Sequence, residues 1–136
     1  MNSEAAIYHL LSSDSTLTAM LSTPTSIWLE VVTHGSISPQ AANPCIVYQE
    51  SITDTNETND GPSKLDGLKI QIDVYADSAA QRNTIAARVR TVLDGQSGTF
   101  AGVVVDSIIF GYGDKLYDDI AKCYRFTSDY YLRQKL

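Results

Sequence analysis

The clearest pattern in the chain is an alternation of apolar and polar residues. In LKIQIDVY, residues 68–75, every second residue is leucine, isoleucine or valine. A period of two over this length indicates a strand with one buried face. A helix follows closely: Asp77 or Ser78 can cap it, and apolar residues recur at helical spacing from Ile85 to Leu93. Asp94-Gly95 predicts its end, because glycine adopts left-handed backbone angles without steric cost. We therefore expect this helix to cover one face of a sheet.

An interrupted helix is predicted near the start of the chain. Ser3 can cap it, and an apolar stripe runs from Ile7 to Leu11. The polar residues Ser12–Ser15 break the stripe, since their side chains compete for backbone hydrogen bonds. A short helical continuation is expected to end before Pro24.

Further segments have the composition of strands. They are rich in β-branched and aromatic residues or alternate in polarity: Ile27–Val32, Cys45–Ile52, Val103–Phe110 and Ala121–Arg133. Together these patterns predict an α+β fold, with a single antiparallel or mixed β-sheet and two helices packed on one face. No internal repeat or long linker divides the sequence, so residues 1–136 are expected to form one domain.

One connection is unusually polar. Thr53–Lys64 contains no apolar residue, and Asn59–Pro62 is dense in turn-forming residues. We expect a long loop here, and loops of this length are usually functional or disordered. Shorter loops are expected at Gly111–Asp114 and Tyr117–Asp119, where glycine and aspartate follow an apolar strand.

Composition and charge exclude several classes of function. Hydrophobic residues make up 43% and charged residues 19% of the chain, which are ordinary values for a globular protein. The net charge of −6 argues against the basic face that sequence-independent nucleic-acid binding requires. The sequence has neither a signal-peptide pattern nor an apolar stretch long enough to span a bilayer, so we expect the protein to stay in the cytoplasm where it is made.

The residues that most often bind metals form no pattern of ligands. His9 and His34 are the only histidines, and neither has another ligand at metal spacing. Asp54, Glu57 and Asp60 are spaced by three like some calcium ligands, but the central glycine and final glutamate of an EF-hand loop are missing. A solvated acidic loop is the favoured interpretation, and we expect no catalytic, cofactor-binding or metal-binding residue.

The two cysteines, Cys45 and Cys123, lie in apolar, strand-like segments. Two buried, reduced thiols that pack as small hydrophobic groups are the favoured interpretation. A disulfide between them and a reactive thiol are the alternatives.

The aromatic residues suggest a protein interface. Eight tyrosines are more than a core of this size can hold with satisfied hydroxyl groups. Tyrosine and tryptophan are enriched where proteins meet, and Tyr130 and Tyr131 of the last strand are candidates for such contacts. Trp28 fits the core and an interface equally well.

A series of short motifs, taken in order and spacing, resembles one known family. The motifs are LLSSDSTLT (Leu10–Thr18), PCIVYQ (Pro44–Gln49), IQIDVYA (Ile70–Ala76), AARVR (Ala86–Arg90), LDG (Leu93–Gly95), LYD (Leu116–Asp118) and YRFTSDY (Tyr124–Tyr130). Over nearly the whole chain they resemble the tail completion, or tail-to-head joining, proteins of long-tailed bacteriophages, which are similar in fold to tail terminators.

The resemblance implies a structural protein and not an enzyme. Such proteins form a ring, typically of six subunits, at the head-proximal end of the tail, where it terminates growth of the tail tube and joins tail to head. The implied partners are further copies of this chain, the tail tube protein and the head-tail connector or head-closure protein. DNA would pass through the lumen without specific binding, and no membrane or cofactor is implied. The expected location is the virion, after assembly in the host cytoplasm.

A closed ring needs two different contact patches on each subunit. We expect the polar loop and exposed aromatic residues to supply them: Asp54, Asn56, Glu57, Asp60, Trp28, Tyr130 and Tyr131. The last strand is expected to be a sheet edge that pairs with a neighbour.

Two alternative functions stay open at this point. A head-closure or minor capsid adaptor on the portal side would also form a ring. A small cytoplasmic enzyme or ligand-binding domain is a more remote alternative.

Overall fold

A computed structural model describes residues 3–21, 27–29, 44–58, 61–119 and 123–135. Helices and strands account for most of these residues. In chain order the elements are α1 (Ser3–Ser13), α2 (Ser15–Ala19), β1 (Ile27–Leu29), β2 (Cys45–Thr58), β3 (Gly61–Ala76), α3 (Ala79–Leu93), β4 (Gly98–Phe100), β5 (Val103–Asp118) and β6 (Cys123–Lys135).

The strands form one mixed sheet in the order β1-β2-β3-β6-β5-β4. β1 runs parallel to β2, and every other neighbouring pair is antiparallel. The predicted α+β class and single sheet are therefore confirmed. The predicted position of the last strand is wrong, because β6 lies between β3 and β5 and both of its edges are paired. Its apolar residues on alternate positions belong to a central strand, which buries its side chains among neighbours on both sides.

Helices α1 and α3 pack side by side on one face of this sheet, as predicted. α3 begins at the N-cap Ser78, whose hydroxyl accepts a hydrogen bond of 3.1 Å from the backbone of Gln81. Gly95, just beyond its end, has the predicted left-handed backbone, with φ +82°. The largest fully buried side chains lie between these helices and the sheet: Ile7, Leu11, Leu17, Ile46, Ile70, Ile72, Val74, Ile85, Leu93, Ile108, Tyr130 and Leu132.

The predicted interruption of the first helix lies at Asp14, between α1 and α2. The Asp14 carboxylate accepts a hydrogen bond of 2.8 Å from the backbone of Leu17 and so caps α2. The polar Ser12–Ser15 segment therefore ends one helix and starts the next, as the competition of its side chains for backbone groups requires.

The polar segment Thr53–Lys64 is a β-hairpin and not the predicted loop. β2 continues to Thr58 and β3 begins at Gly61. The sequence pattern failed here because antiparallel pairing depends on main-chain hydrogen bonds, which need no apolar side chains. β6 pairs with β3 only from Leu65 onwards, so residues 56–58 and 61–64 extend past the rest of the sheet. We call these seven residues the hairpin arm.

The glycines of β5 lie inside a strand, where loops were expected. β5 continues through Gly111 and Gly113 to Asp118 and pairs with β6 from Val105 onwards, with β-bulges between Val105 and Ser107 and between Phe110 and Tyr112. A Cβ atom at Gly111 would overlap the ring of Tyr131, and one at Gly113 would lie 2.8 Å from Cζ of Phe126. Glycine is therefore used here to make room for aromatic rings and not to turn the chain.

Two strand predictions extend beyond the described residues. β1 covers Ile27–Leu29 of the predicted Ile27–Val32, and β6 begins at Cys123 instead of Ala121. The remainder of those segments, and the predicted loop around His34, lie outside the part of the chain that the structure describes.

Candidate assembly interface

The candidate interface residues are divided among separate parts of the sheet. Asn56 and Glu57 belong to the hairpin arm, and Asp54 lies two residues before it on β2. Trp28 belongs to β1, at the edge of the sheet next to β2. Asp60 lies outside the described residues. The fold therefore places Asp54, Glu57 and Trp28 on the β1–β2 side of the sheet.

Tyr130 and Tyr131 point to opposite faces of β6. Tyr130 is 1% exposed, and its ring packs edge-to-face on Phe110 with the ring centres 5.4 Å apart. Burial raises the pKa of the Tyr130 hydroxyl above its ordinary value. Tyr130 is thus a core residue and offers no surface to a partner, whereas Tyr131 is 49% exposed on the face without helices.

Tyr131 is part of an exposed apolar patch that the sequence prediction missed. Ile109 lies beside it in the β5–β6 ladder, and Tyr112 follows on the same face after a β-bulge. Ile109 is 57% and Tyr112 56% exposed. The alternation of Ile108 and Ile109 across the two faces was the available signal, but both residues sat in a run interpreted only as a buried strand.

Towards the opposite end of the strands, the same face carries paired charged side chains instead of an apolar patch. Arg125 forms an ion pair of 3.2 Å with Asp73, which is 6% exposed and also accepts a hydrogen bond from Gln71. Lys69 and Asp129 form a more open pair at 3.5 Å. A buried charge is tolerated only when it is paired, so these contacts fix the side chains in place and leave them less available to a ligand.

The outer edge of β5 changes from covered to open along its length. β4 pairs only with Val103–Val105. The chain after α3 then covers the next stretch: the backbone of Gly95 and Gln96 bonds to Ile108, and the Asp94 carboxylate accepts a hydrogen bond of 3.0 Å from the backbone of Phe110. Beyond Phe110, no strand among the described residues pairs with this edge. An open strand edge of this kind accepts extended peptide.

A groove of about 270 Å³ runs between α3 and this open edge. We call it the α3–β5 groove. Its floor is apolar and its rim carries two cations; it is lined by Asn83, Ala86, Ala87, Arg90, Phe110, Lys115 and Phe126. The Arg90 guanidinium lies 4.1 Å from the centre of the Phe110 ring, a cation–π contact that holds it over the groove.

Helix α3 carries charge of one sign, but only one of its cations, Arg90, lines the α3–β5 groove. The helix has three arginines, Arg82, Arg88 and Arg90, and no carboxylate. Arg82 reaches across to the end of β5, where it donates a hydrogen bond of 3.3 Å to the carbonyl oxygen of Leu116. Lys115 adds a further cation from β5. Arg90 also forms an ion pair of 3.6 Å with Asp94, which offsets part of the positive charge of the groove.

A second groove, of about 330 Å³, lies between α1 and α3, but its charged groups pair with each other. The Arg88 guanidinium donates hydrogen bonds of 2.8 and 2.7 Å to the two oxygens of Asp14. This hydrogen bonding from Arg88 lowers the pKa of the Asp14 carboxyl below its ordinary value. The pair joins α2 to α3, so its evident role is to hold the helices together.

The chemistry of the described residues offers no reactive centre. No three His, Cys, Asp or Glu side chains in the described ranges lie together as a metal site would require. Cys45 and Cys123 are buried and are not joined in a disulfide, which confirms the favoured interpretation. Burial raises the pKa of Cys45 to about 12, so this thiol stays protonated at neutral pH and is a poor nucleophile. Among the described helices, none combines the length and apolarity needed to cross a bilayer.

Comparisons with known proteins point in one direction. The family model for tail completion protein gp17 matches residues 5–135. A search of curated proteins found no significant match. Among solved structures, a chain of the virion of native gene transfer agent (GTA) particle is similar, with a TM-score of 0.72 and 17% sequence identity. The match covers 98% of this chain and 95% of that chain, so the two share a fold along their whole length.

Proposed function

We propose that this chain, which belongs to the tail completion protein gp17 family of phage structural proteins, forms a ring at the head-proximal end of the tail. In this position the ring terminates the tail tube and joins the tail to the head. Its partners are further copies of the chain, the tail tube protein and a connector or head-closure protein. The similar fold in the gene transfer agent virion supports a place within the particle.

The observation that supports this proposal is the presence of two unlike structural features on opposite sides of one sheet. The hairpin arm extends from the β2–β3 side. The open edge of β5 and the α3–β5 groove lie on the other side. A closed ring requires such a head-to-tail arrangement, because each subunit presents one patch to the neighbour on its left and a different patch to the neighbour on its right.

Charge is compatible with a ring around DNA. The net charge of −6 would make a lumen lined by this protein repel phosphate groups. DNA would then pass through without being held, as ejection and packaging require. Family membership supports a structural role over catalysis for the same chain.

The decisive experiment is electron microscopy of particles assembled without this protein. We expect unattached or over-long tails, and we expect wild-type protein supplied from a plasmid to restore joined particles. Empty, leaking heads with normal tails would point instead to a head-closure role. Normal infectious particles that lack the chain would overturn the proposal, since a ring at the joint cannot be dispensable.

A further inference from the structure

Two strand edges lie at opposite sides of the sheet. β5 is the last strand on one side from Gly111 to Asp118, because β4 and the chain after α3 cover it only as far as Phe110. Residues 111–117 are exposed, apart from the half-buried Gly113. β1 is the last of the described strands on the other side. The subunit therefore presents two different edges to its surroundings.

The open edge of β5 is regular. Its pairing with β6 shows no bulge from Tyr112 to Asp118, and this stretch contains no proline, so two common protections of an edge strand are missing. The Lys115 N–H donates a hydrogen bond of 2.9 Å to the exposed Asp114 carboxylate, which places this amide on the outer edge of the strand. A neighbouring strand could displace the carboxylate and take up the same amide.

The strand directions fit an antiparallel contact between the two edges. β1 runs parallel to β2, and the strands β2, β3, β6 and β5 then alternate in direction. β1 therefore runs opposite to β5. Rotation of a copy about an axis parallel to the strands preserves these directions, so its β1 would meet the β5 edge of a neighbour in the antiparallel sense.

The two edges also lie at the same height along the sheet. Height follows from the residues that pair side by side across neighbouring strands. One such row contains, in sheet order, Trp28, Val47, Asp73, Thr127 and Asp114. The adjacent rows lead from Ile27 to Lys115 and from Leu29 to Gly113. The three residues of β1 are thus level with three successive residues of the open β5 edge, and no sliding along the strands is needed to join them.

The apolar layer beneath the helices reaches towards both edges. Ile27 of β1 is 5% exposed and belongs to the core. Phe110 and Phe126 pack against the core and line the α3–β5 groove beside the small residues Ala86 and Ala87. Phe126 lies in the same row as Ile27. A neighbour's β1 at the open edge would therefore cover the groove from its exposed side and continue the apolar layer into the next subunit.

We propose that β1 of one copy of this chain pairs with the open β5 edge of the next copy, so that the sheets join around a ring. The proposal rests on the ring function above and names the contact between neighbouring subunits. Trp28 of one copy would lie opposite Asp114 of the other. Each subunit would use its β1 edge on one side and its β5 edge on the other, as a closed ring requires.

Cysteine cross-linking tests the predicted register. The variant Trp28→Cys/Asp114→Cys places one new thiol on each edge, and opposite Cα atoms of antiparallel strands lie about 4.5–5.5 Å apart, within reach of a disulfide. It is supplied from a plasmid to phage that lacks the gene, and purified particles are oxidised and run on a non-reducing gel. We expect a ladder of covalent multimers that disappears on reduction. Wild-type protein should stay monomeric on this gel, because Cys45 and Cys123 are buried.

Matched variants establish that the cross-link is specific. Particles that contain Trp28→Cys and Asp114→Cys on separate, co-expressed chains should give dimers and no ladder, since each chain then has one new thiol. The variant Trp28→Cys/Ile109→Cys moves the β5 thiol by four residues of the β6 ladder, about 13 Å, and should give no multimers. A ladder from this control, or normally joined particles in which Trp28→Cys/Asp114→Cys does not cross-link, would overturn the proposal.

Proline at the β5 edge tests the pairing without any cysteine. Lys115→Pro removes the outer amide, and an edge strand tolerates proline at such a position. Lys115→Ala is the matched control, because it loses the same side chain and keeps the amide. We expect Lys115→Pro to lower the yield of infectious particles at least about tenfold, because every contact in the ring then loses a hydrogen bond. Circular dichroism should show the same fold for both variants, and equal yields from the two would reject the β1–β5 contact.

Failure of this contact can be distinguished from failure of the ring function. Normal joining in particles that contain the chain but form no cross-link rejects only the pairing of β1 with β5. Normal joining in particles that lack the chain rejects the ring function itself.

Discussion

The β3–β6 ladder and the hairpin arm use the same antiparallel pairing, but only the ladder has a buried face. Ile70 and Ile72 of β3 and Leu132 of β6 are fully buried beneath the helices. The arm is polar along its entire sequence. Because burial of apolar surface supplies most of the stability of a fold, the ladder stabilises the subunit, and the polar sequence of the arm predicts a small contribution to that stability. We expect the arm to serve assembly and not folding.

Truncation in the ladder should have the largest effect on stability. Leu132→Ala leaves a cavity under the helices and should lower the free energy of unfolding by about 2–5 kcal/mol. Thr58→Ala in the arm should change it by less than about 0.5 kcal/mol. Urea unfolding followed by circular dichroism measures both values. Similar losses from the two substitutions would show that the arm is as integral to the fold as the ladder.

The two glycines of β5 allow buried and exposed surroundings to be compared within one strand. Gly113→Ala places a methyl group between the partly buried rings of Phe110 and Phe126 and should cost about 1–3 kcal/mol. Gly111→Ala should cost less, because the half-exposed Tyr131 ring can rotate away.

Tyr131→Ala provides the control for both glycine variants. It should relieve the cost of Gly111→Ala and have no effect on the cost of Gly113→Ala, because the Tyr131 ring is close only to Gly111. Thermal unfolding of the single and double variants tests this pattern. Equal costs at the two glycines would contradict the assignment of the two rings to opposite faces.

Asp14 should have a smaller, pH-dependent effect. Asp14→Ala removes the cap of α2 and should cost about 1 kcal/mol from that contact alone. The native pKa of Asp14 is lowered by Arg88, so its contribution is present above the ordinary value of 3.8 and is lost as the pH falls below it. Asp14→Asn can still cap α2 but cannot ionise.

Unfolding by urea at pH 7 and pH 3 therefore separates the ion pair from the cap. The difference in stability between wild type and the Asp14→Asn variant should shrink at the lower pH. A difference that does not change with pH would mean that the Arg88 contact adds no stability.

Deletion of residues 54–61 should have a small effect on the fold and a large effect on joining. Six residues, Pro62–Gly67, remain to connect Thr53 to its ladder partner Leu68. A short surface connection of this kind should change the free energy of unfolding by less than about 1 kcal/mol. We expect a folded protein whose tails fail to join heads in electron micrographs. Normal joining would exclude the arm from docking.

Much of the fold follows from side-chain patterns in the sequence. The alternation in residues 68–75, the capping by Ser78 and the break at Asp14 each depend on local chemistry, and each is confirmed. Local chemistry does not determine which strands become neighbours. The last strand was therefore expected at an edge, although it lies at the centre between β3 and β5.

The candidate interface was less predictable for two physical reasons. Glycine is common in turns, but it also occurs in strands where a neighbouring ring needs space, as at Gly111 and Gly113. Only the positions of the Tyr131 and Phe126 rings in the folded protein show which of the two applies. The groove brings α3 together with β5 across a long stretch of sequence. Arg90 and Lys115 therefore come together on one surface only in the folded protein. The roles of Asp54, Asn56, Glu57, Asp60 and Trp28 stay predictions.

The central position of β6 has a consequence during translation. β3 is made long before β6, and its inner edge has no partner until Tyr124–Lys135 has left the ribosome. Pairing of segments so distant in sequence is slow to form, because a long stretch of chain must first be closed into a loop. A nascent chain that still lacks β6 should therefore be unable to complete the sheet on which neighbours would dock. Only subunits that have been synthesised through β6 should then enter a growing particle.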